Sequence, residues 1–226
     1  GTTAETPARF PDERKAVLAR VKQRNAGRKP IVAGIGGNNT AAVVAALKDF
    51  DLSGVDAVLS VTPYYNRPSQ RGLYEHFRAV AEAAPVPVIL YNVPGRTGVN
   101  MTADPTLLLA RDTENILAVK EASGNLEQIS EIIDNRPDGF HVLSGDDSLA
   151  VEIIKRGGEG VISVAANAYP SYMEEMISAA MSQDFNRSEE LWQRGMPLVK
   201  SLFVEGNPTG VKAALNLQGI ISNNLR

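Results

Sequence analysis

Short apolar runs recur along the chain at Pro30–Ala33, Ala57–Val61, Val86–Asn92, Ile116–Lys120, His141–Ser144 and Gly160–Ala165. Runs of this length read as buried strands. Between them lie amphipathic stretches: in Ser69–Ala84, residues Leu73, Phe77, Val80 and Ala81 follow the helical period and share one face. Ser69 and Thr40 are the predicted N-caps, and Gly157-Gly158 is expected to stop a helix running from Ser148. Strand starts recur every ~20 to 30 residues, the length of one β-loop-α-loop unit, which predicts a parallel sheet. No linker, low-complexity tract or shift in composition divides the chain, so residues 1–226 are expected to form a single domain.

Repeated β/α units of this kind suit either an open doubly wound sheet or an eight-stranded (β/α)₈ barrel, and the placement of polar residues separates the two. Tyr64-Tyr65-Asn66 follows the second run, Tyr91-Asn92 ends the third, Lys120-Glu121 closes the fourth and Ser144-Gly145-Asp146-Asp147 follows the fifth. In a barrel all strand ends converge on one mouth, whereas an open sheet gathers its chemistry at one switch point. The spread of polar residues over many strand ends favours an α/β TIM barrel.

Lys120 is the most informative single residue. Strand alternation in Ile116–Lys120 places Ile116, Ala118 and Lys120 on one face, the expected barrel interior. Burial of a lysine amine lowers its pKa and frees the neutral nucleophile for imine formation with a ketone. The alternative is an ion pair with Glu121 or with an acid across the barrel. Ile89 and Tyr91 point to one face of their strand, Leu90 and Asn92 to the other; a phenol beside Lys120 can donate and accept a proton at one oxygen, or be a buried tyrosine with a satisfied hydroxyl. In Val93-Pro94-Gly95-Arg96-Thr97-Gly98, Arg96 is either a bidentate clamp for a carboxylate or a surface arginine.

Other chemistries find less support. Gly34-Ile35-Gly36-Gly37 lacks the full spacing of a dinucleotide fingerprint and the Lys-Ser/Thr ending of a P-loop. His76 and His141 show no ligand spacing, so no metal is expected, and no Gly-x-Ser-x-Gly elbow is present. With 23 Lys+Arg against 26 Asp+Glu the net charge is −3, which offers no basic face to nucleic acid and no polybasic patch to a membrane. No apolar run reaches the ~18 residues of a membrane span. The absence of cysteine excludes disulfides and thiol catalysis and fits a cytoplasmic setting.

Five segments occur in order: Gly1-Thr2-Thr3-Ala4-Glu5, Thr62-Pro63-Tyr64-Tyr65-Asn66-Arg67-Pro68, Tyr91 to Gly98, Val119-Lys120-Glu121-Ala122-Ser123-Gly124 and Ser144-Gly145-Asp146-Asp147. In these the chain closely resembles the dihydrodipicolinate synthase family of pyruvate-dependent class I aldolases, a superfamily that includes N-acetylneuraminate lyase. The resemblance extends over the whole chain. It implies a (β/α)₈ barrel in which Lys120 forms a Schiff base with pyruvate and the enamine attacks L-aspartate-4-semialdehyde, giving 4-hydroxy-tetrahydrodipicolinate for lysine and diaminopimelate biosynthesis. No separate cofactor is implied, because the covalent group is the imine on Lys120. By the same resemblance Tyr91 is the proton donor and acceptor, and Thr2 and Tyr65 complete a relay to solvent. Tyr65 crosses a dimer interface, within a homotetramer built from dimers. Thr3, with Thr2, Gly145 and the main chain of Ile162, is assigned to substrate binding, and Arg96 to the carboxylate of the aldehyde.

The Gly-Arg-Thr loop is not shared by sialic-acid lyases, which favours the synthase over a sugar-acid aldolase such as N-acetylneuraminate lyase or a 2-keto-3-deoxy sugar acid aldolase. Relatives inhibited by lysine use an acid on the helix after Gly34–Asn39 and histidines on the helix after Glu5. Here Ala41, Ala42 and Val43 stand on the first, and Pro11 and Arg14 on the second, so lysine feedback is expected to be weak. The start at Gly1-Thr2-Thr3 is expected to fall at the top of the second barrel strand, leaving out the first strand and helix, most of the second strand and the C-terminal end. On that expectation an inactive barrel fragment is a further alternative.

Overall fold

The computed structural model describes residues 1–226. Its contacts divide into two compact units, Phe10–Val142 and Gly1–Arg9 with Leu143–Arg226. The first unit alternates helices and strands: α1 (Pro11–Asn25), β1 (Val32–Gly34), α2 (Thr40–Asp49), β2 (Ala57–Val61), α3 (Gln70–Ala83), β3 (Val88–Asn92), the single turn α4 (Pro94–Thr97), α5 (Ala103–Asp112), β4 (Ile116–Glu121) and α6 (Leu126–Asn135). Strand β5 (His141–Ser144) bridges the division in sequence. The second unit holds a 3₁₀ turn at Thr6–Ala8, α7 (Ala150–Lys155), a 3₁₀ turn at Ala165–Asn167, α8 (Pro170–Met181), α9 (Phe185–Ser201) and α10 (Thr209–Leu217).

The sheet order β1-β2-β3-β4-β5 follows the chain, and β1 to β4 pair in parallel. A strand order without reversal has no topological switch point, unlike a doubly wound sheet. The helices α2, α3, α5 and α6 pack side by side in sequence order. Leu73, Phe77, Val80 and Ala81 of α3 are all buried, as their spacing predicts. In the second unit Met173, Met176, Leu191, Val199 and Val211 anchor an apolar core drawn from α8, α9 and α10. No helix is long and apolar enough to cross a membrane.

Three local expectations need correction. Asn39, not Thr40, caps α2: its side chain accepts from the Ala42 N–H at 3.1 Å, and Thr40 is already the first helical residue. Asn39→Ala is therefore expected to lower stability by about 1 kcal/mol, read as a shift in denaturant midpoint, whereas Thr40→Ala would leave the cap in place. The run Gly160–Ala165 is not a strand. Only Val161 bridges to Ser144, Gly160 takes a φ of 142°, and the Asp147 carboxylate accepts from the N–H groups of Val164 and Ala165 at 3.1 and 2.8 Å, drawing the chain into a 3₁₀ turn. The helix expected from Ser148 begins at Ala150, because Asp146 holds the Ser148 N–H and hydroxyl in a turn at 2.7 and 2.6 Å.

The face assignment on β4 also changes. Val88 pairs with Ile116 while the next residue, Ile89, pairs with Ala118, so Leu117 is an extra residue in the ladder. Side chains of Val88 and Ile89 alternate across the sheet, so their partners do too. Ile116 is thereby removed from the face of Ala118 and Lys120, and the alternation that positions Lys120 starts at Ala118.

Candidate active site

Beyond the bulge the β3 and β4 rungs are regular: Tyr91 pairs with Lys120 and Asn92 with Glu121. Alternation then sorts these four side chains into two pairs on opposite faces of the sheet. On one face, continuous with the small apolar cluster of Ala57, Ile89 and Ala118, the Lys120 Nζ lies 4.1 Å from the centroid of the Tyr91 ring. Each of the two residues is only 8% exposed. Burial pushes the Tyr91 phenol above its ordinary pKa, with the nearby Arg96 cation pulling it partly back. The phenol is therefore neutral at physiological pH and can both give and receive a proton.

Arg96 sits on α4, where the Arg96 and Thr97 N–H groups donate to the Val93 carbonyl at 2.9 and 3.1 Å. Gly98 ends the turn with a φ of 75°, and a Cβ there would come within 2.8 Å of Arg67 Nε. The left-handed φ favours glycine there, whereas the Arg67 guanidinium could shift to admit a Cβ. Arg96 is exposed, as the surface-arginine alternative supposes, yet its charge reaches Tyr91. The loop after β2 is tied to the same turn by the Tyr65 N–H, which donates to the Thr97 carbonyl at 3.3 Å. Asn38 Nδ2 donates to the Tyr64 carbonyl at 3.1 Å, and Asn66 Nδ2 donates back to the Asn38 carbonyl at 3.0 Å. Tyr65 is held at a φ of 75° and its side chain is 90% exposed.

The opposite face of the two rungs carries a polar cluster that the motif reading did not single out. Asn92 Oδ1 accepts from the Met101 N–H at 3.0 Å, and its Nδ2 donates to Asn100 Oδ1 at 2.8 Å and to both Glu121 oxygens at 3.2 Å. Glu121 also accepts from the Ser123 N–H at 2.7 Å and from Gln128 Nε2 at 3.0 Å, and Gln128 Oε1 accepts from Asn100 Nδ2 at 2.8 Å. Asn92 and Glu121 are fully buried. Burial raises the Glu121 pKa, and the hydrogen bonds from Asn92, Ser123 and Gln128 oppose that rise. The signal was present in the sequence: Asn92 and Glu121 each directly follow a candidate chemical residue in a buried strand.

Thr2, Thr3, Gly145 and Ile162 belong to the second unit. There the Thr2 carbonyl accepts from the Glu5 N–H at 2.9 Å, and Thr3 Oγ1 accepts from Asn207 Nδ2 at 2.9 Å. Glu5 accepts from Lys212 Nζ and from the Arg226 N–H, both at 2.8 Å. These bonds, led by the one from Arg226, hold its carboxyl below the usual range. Ser144 exchanges backbone bonds with the Gly160 carbonyl and the Ile162 N–H at 2.8 and 2.9 Å. The Ser144 hydroxyl spans Gly145, donating to the Asp146 carbonyl at 2.7 Å and accepting from the Asp146 N–H at 3.1 Å.

A model of the dihydrodipicolinate synthetase family matches residues 1–226, the whole chain. The chain belongs to this family. It is 51% identical over 226 residues to the 4-hydroxy-tetrahydrodipicolinate synthase of Phocaeicola vulgatus, an alignment that takes in all of this chain and 76% of the relative. Among solved structures, the dihydrodipicolinate synthase of Aquifex aeolicus superposes with a TM-score of 0.97 at 43% identity, over all of this chain and 77% of that one. The chloride-inhibited enzyme of Acinetobacter baumannii, complexed with pyruvate, gives a TM-score of 0.96 at 40% identity, over all of this chain and 77% of that one. Membership places the candidate residues within a family of pyruvate-dependent aldolases.

Proposed function

We propose that this chain condenses pyruvate with L-aspartate-4-semialdehyde through a Schiff base on Lys120, giving 4-hydroxy-tetrahydrodipicolinate in lysine and diaminopimelate biosynthesis. The observation that carries the reading is the Lys120 amine 4.1 Å above the Tyr91 ring at paired strand ends, in a chain of this family. The neutral amine adds to the ketone carbon of pyruvate, and the carbinolamine hydroxyl leaves as water after accepting a proton from the Tyr91 phenol. The cationic imine then loses a methyl proton, and the resulting enamine forms the new carbon-carbon bond to the aldehyde, whose oxygen takes up a proton. The substrate's own amine replaces Lys120 at the imine carbon, closing the ring and freeing the lysine amine. The iminium nitrogen is the electron sink throughout, so no separate cofactor is required.

Arg96 supplies the cation for the aldehyde substrate's carboxylate, a role that suits an exposed guanidinium whose charge reaches Tyr91. Thr2 and Tyr65 extend the proton relay, and Thr3, Gly145 and Ile162 keep the substrate-binding roles that the family resemblance gives them. A tyrosine as exposed as Tyr65, fixed in a left-handed backbone, suits a residue that enters a neighbouring subunit, and we assign the chain to a homotetramer built from dimers. We assign the five-stranded sheet and its helices to the (β/α)₈ barrel type, with residues 1–226 acting as one catalytic domain, in the cytoplasm.

Two measurements on the full chain test this reading. Borohydride reduction in the presence of pyruvate is expected to leave a pyruvate adduct on Lys120 by peptide mass spectrometry; an adduct elsewhere, or none, overturns it. The ratio of kcat/KM for aspartate semialdehyde to that for N-acetylmannosamine then fixes the aldehyde, because that ratio measures differential transition-state binding. It is expected to favour the semialdehyde; preference for the sugar would turn the assignment to a sugar-acid aldolase.

Lysine feedback is expected to be weak. The helix after Glu5 carries Arg14 and no histidine; the Arg14 Nη2 donates to the Gly34 carbonyl at 3.0 Å and its guanidinium lies 5.2 Å from the centroid of the Phe50 ring. Ala41, Ala42 and Val43 of α2 bring no carboxylate, and loss of that charge-assisted contact removes roughly 1.5 to 3 kcal/mol from lysine binding. Half-inhibition at sub-millimolar lysine in a steady-state assay would contradict this.

A further inference from the structure

We propose that Glu121, held by Asn92 and Gln128, is a positioning residue for Lys120: its carboxylate locks the last rung between β3 and β4 from the helix side, so that the amine on the other side stays over Tyr91. The proposal rests on the imine reading given above and adds a residue that touches neither substrate.

The argument starts from the ladder. Tyr91 with Lys120 and Asn92 with Glu121 are consecutive rungs at the strand ends, and any shear of β3 against β4 there moves the amine relative to the phenol. Upstream, the extra residue Leu117 interrupts the ladder, so these end rungs are not held in register by an unbroken run of pairing from the start of the strands. Downstream, the Ala122 N–H donates to the Asn92 carbonyl at 2.9 Å, the last backbone bond before the chain turns away. The side-chain bond from Asn92 to both Glu121 oxygens at 3.2 Å supplies a second link across the same rung.

The cluster anchors that link to three further segments. Asn92 is tied to the Asn100-Met101 turn, Gln128 brings in α6 through Glu121 and the Met101 carbonyl at 3.1 Å, and Gln70 Nε2 at the start of α3 reaches the Asn100 carbonyl at 2.8 Å. Glu121 accepts from Asn92 Nδ2, from the Ser123 N–H and hydroxyl, and from Gln128 Nε2. An ionised carboxylate accepts from all of them at once. All of these donors are neutral, so the cluster accommodates a buried negative charge next in sequence to the residue that becomes a cationic imine. Fixed charge of that sign stabilises the cationic imine once it has formed.

Glu121→Gln keeps the volume and removes the charge, and it sets an NH₂ among N–H donors. A purely structural role predicts a lower melting temperature with chemistry unchanged. The positioning role predicts that kcat falls about tenfold or more while KM for aspartate semialdehyde stays within about twofold, because Arg96 lies on a different turn. The initial rate of borohydride trapping of pyruvate on Lys120 should fall by the same factor as kcat. Gln128→Met, which removes one donor and leaves Glu121 in place, is expected to give a smaller parallel loss, and it carries the test if Glu121→Gln does not fold. A folded variant that traps and turns over within about twofold of the parent overturns the proposal. Absence of the Lys120 adduct in the parent chain instead overturns the imine reading, and the positioning role with it.

Discussion

Alanine in place of Lys120 is expected to lower kcat/KM more than about a thousandfold, a loss of at least ~4 kcal/mol of transition-state stabilisation. The magnitude follows from what the side chain does rather than from its burial. Without an amine no imine forms, and pyruvate's methyl protons must be removed with no cationic nitrogen to take up the electrons. Tyr91 and Arg96 remain, and the residue of activity they support comes from orientation and charge alone. Lys120→Arg separates the two contributions: it keeps a cation near the Tyr91 ring yet cannot form the imine, so it should be as inactive as the alanine variant. Equal losses would show that the covalent step dominates, and substantial activity in Lys120→Arg would point to an electrostatic role. Stability should change little by comparison. Truncation forfeits the stem's packing against Tyr91 but also removes the desolvation of a buried amine. A thermal melt on each variant, run beside the assay, distinguishes lost chemistry from lost structure.

The elements that the sequence revealed most directly are those in which one periodicity dominates. In α3 a single apolar stripe and Ser69, whose side chain accepts from the Gly72 N–H at 3.2 Å, left no competing arrangement. In β3 a continuous apolar run bounded by Pro87 and Pro94 had the length of one buried strand, and its alternation separated Tyr91 from Asn92 correctly. The failures occur where a side chain competes with the backbone pattern. Gly160–Ala165 is apolar enough for a strand, but the Asp147 carboxylate, just after the preceding strand β5, captures two of its N–H groups. Apolar spacing carries no information about such a bond. The extra residue Leu117 was equally hidden, since a bulge changes facing without changing composition.

The candidate site was legible to the same degree and for the same reasons. Lys120 and Tyr91 could be paired from alternation once the strands were parallel neighbours, because register then follows from their ends. Arg96 could not be raised above a surface arginine by its loop alone. Its effect on Tyr91 depends on how α4 folds back, through Val93 and the close passage of Arg67 over Gly98. The cluster around Glu121 escaped because each member, taken alone, reads as an ordinary polar residue at a strand end or helix start. Only their convergence gives them a common role.

Phenylalanine in place of Tyr91 is expected to lower kcat about a hundredfold to a thousandfold, within the range that one positioned acid-base group contributes. The ring, its packing and its contact with the Lys120 amine are kept, so the change isolates one hydroxyl. Imine formation should slow rather than stop, because solvent can still protonate the departing hydroxyl: borohydride trapping ought to reach the same final adduct on Lys120 at a lower rate. An unchanged trapping rate would place Tyr91 after imine formation or outside the proton path. The variant also makes a pH prediction whose sign is fixed by burial. The folded phenol titrates above its ordinary value of 10.0, chiefly because burial disfavours the phenolate, with Arg96 acting in the opposite direction. A raised folded pKa means the folded state holds the proton more tightly than the unfolded chain. Its contribution is fully present below pH 10 and is lost as the pH rises from there through the folded value. The parent should therefore lose stability relative to Tyr91→Phe only on the alkaline side of that point, measured as the difference between their denaturant midpoints, and the two should run parallel from neutral pH up to it. A difference that opens below pH 8, where an ordinary phenol is still protonated, would mean that Tyr91 ionises readily in the folded chain, contrary to the burial seen here.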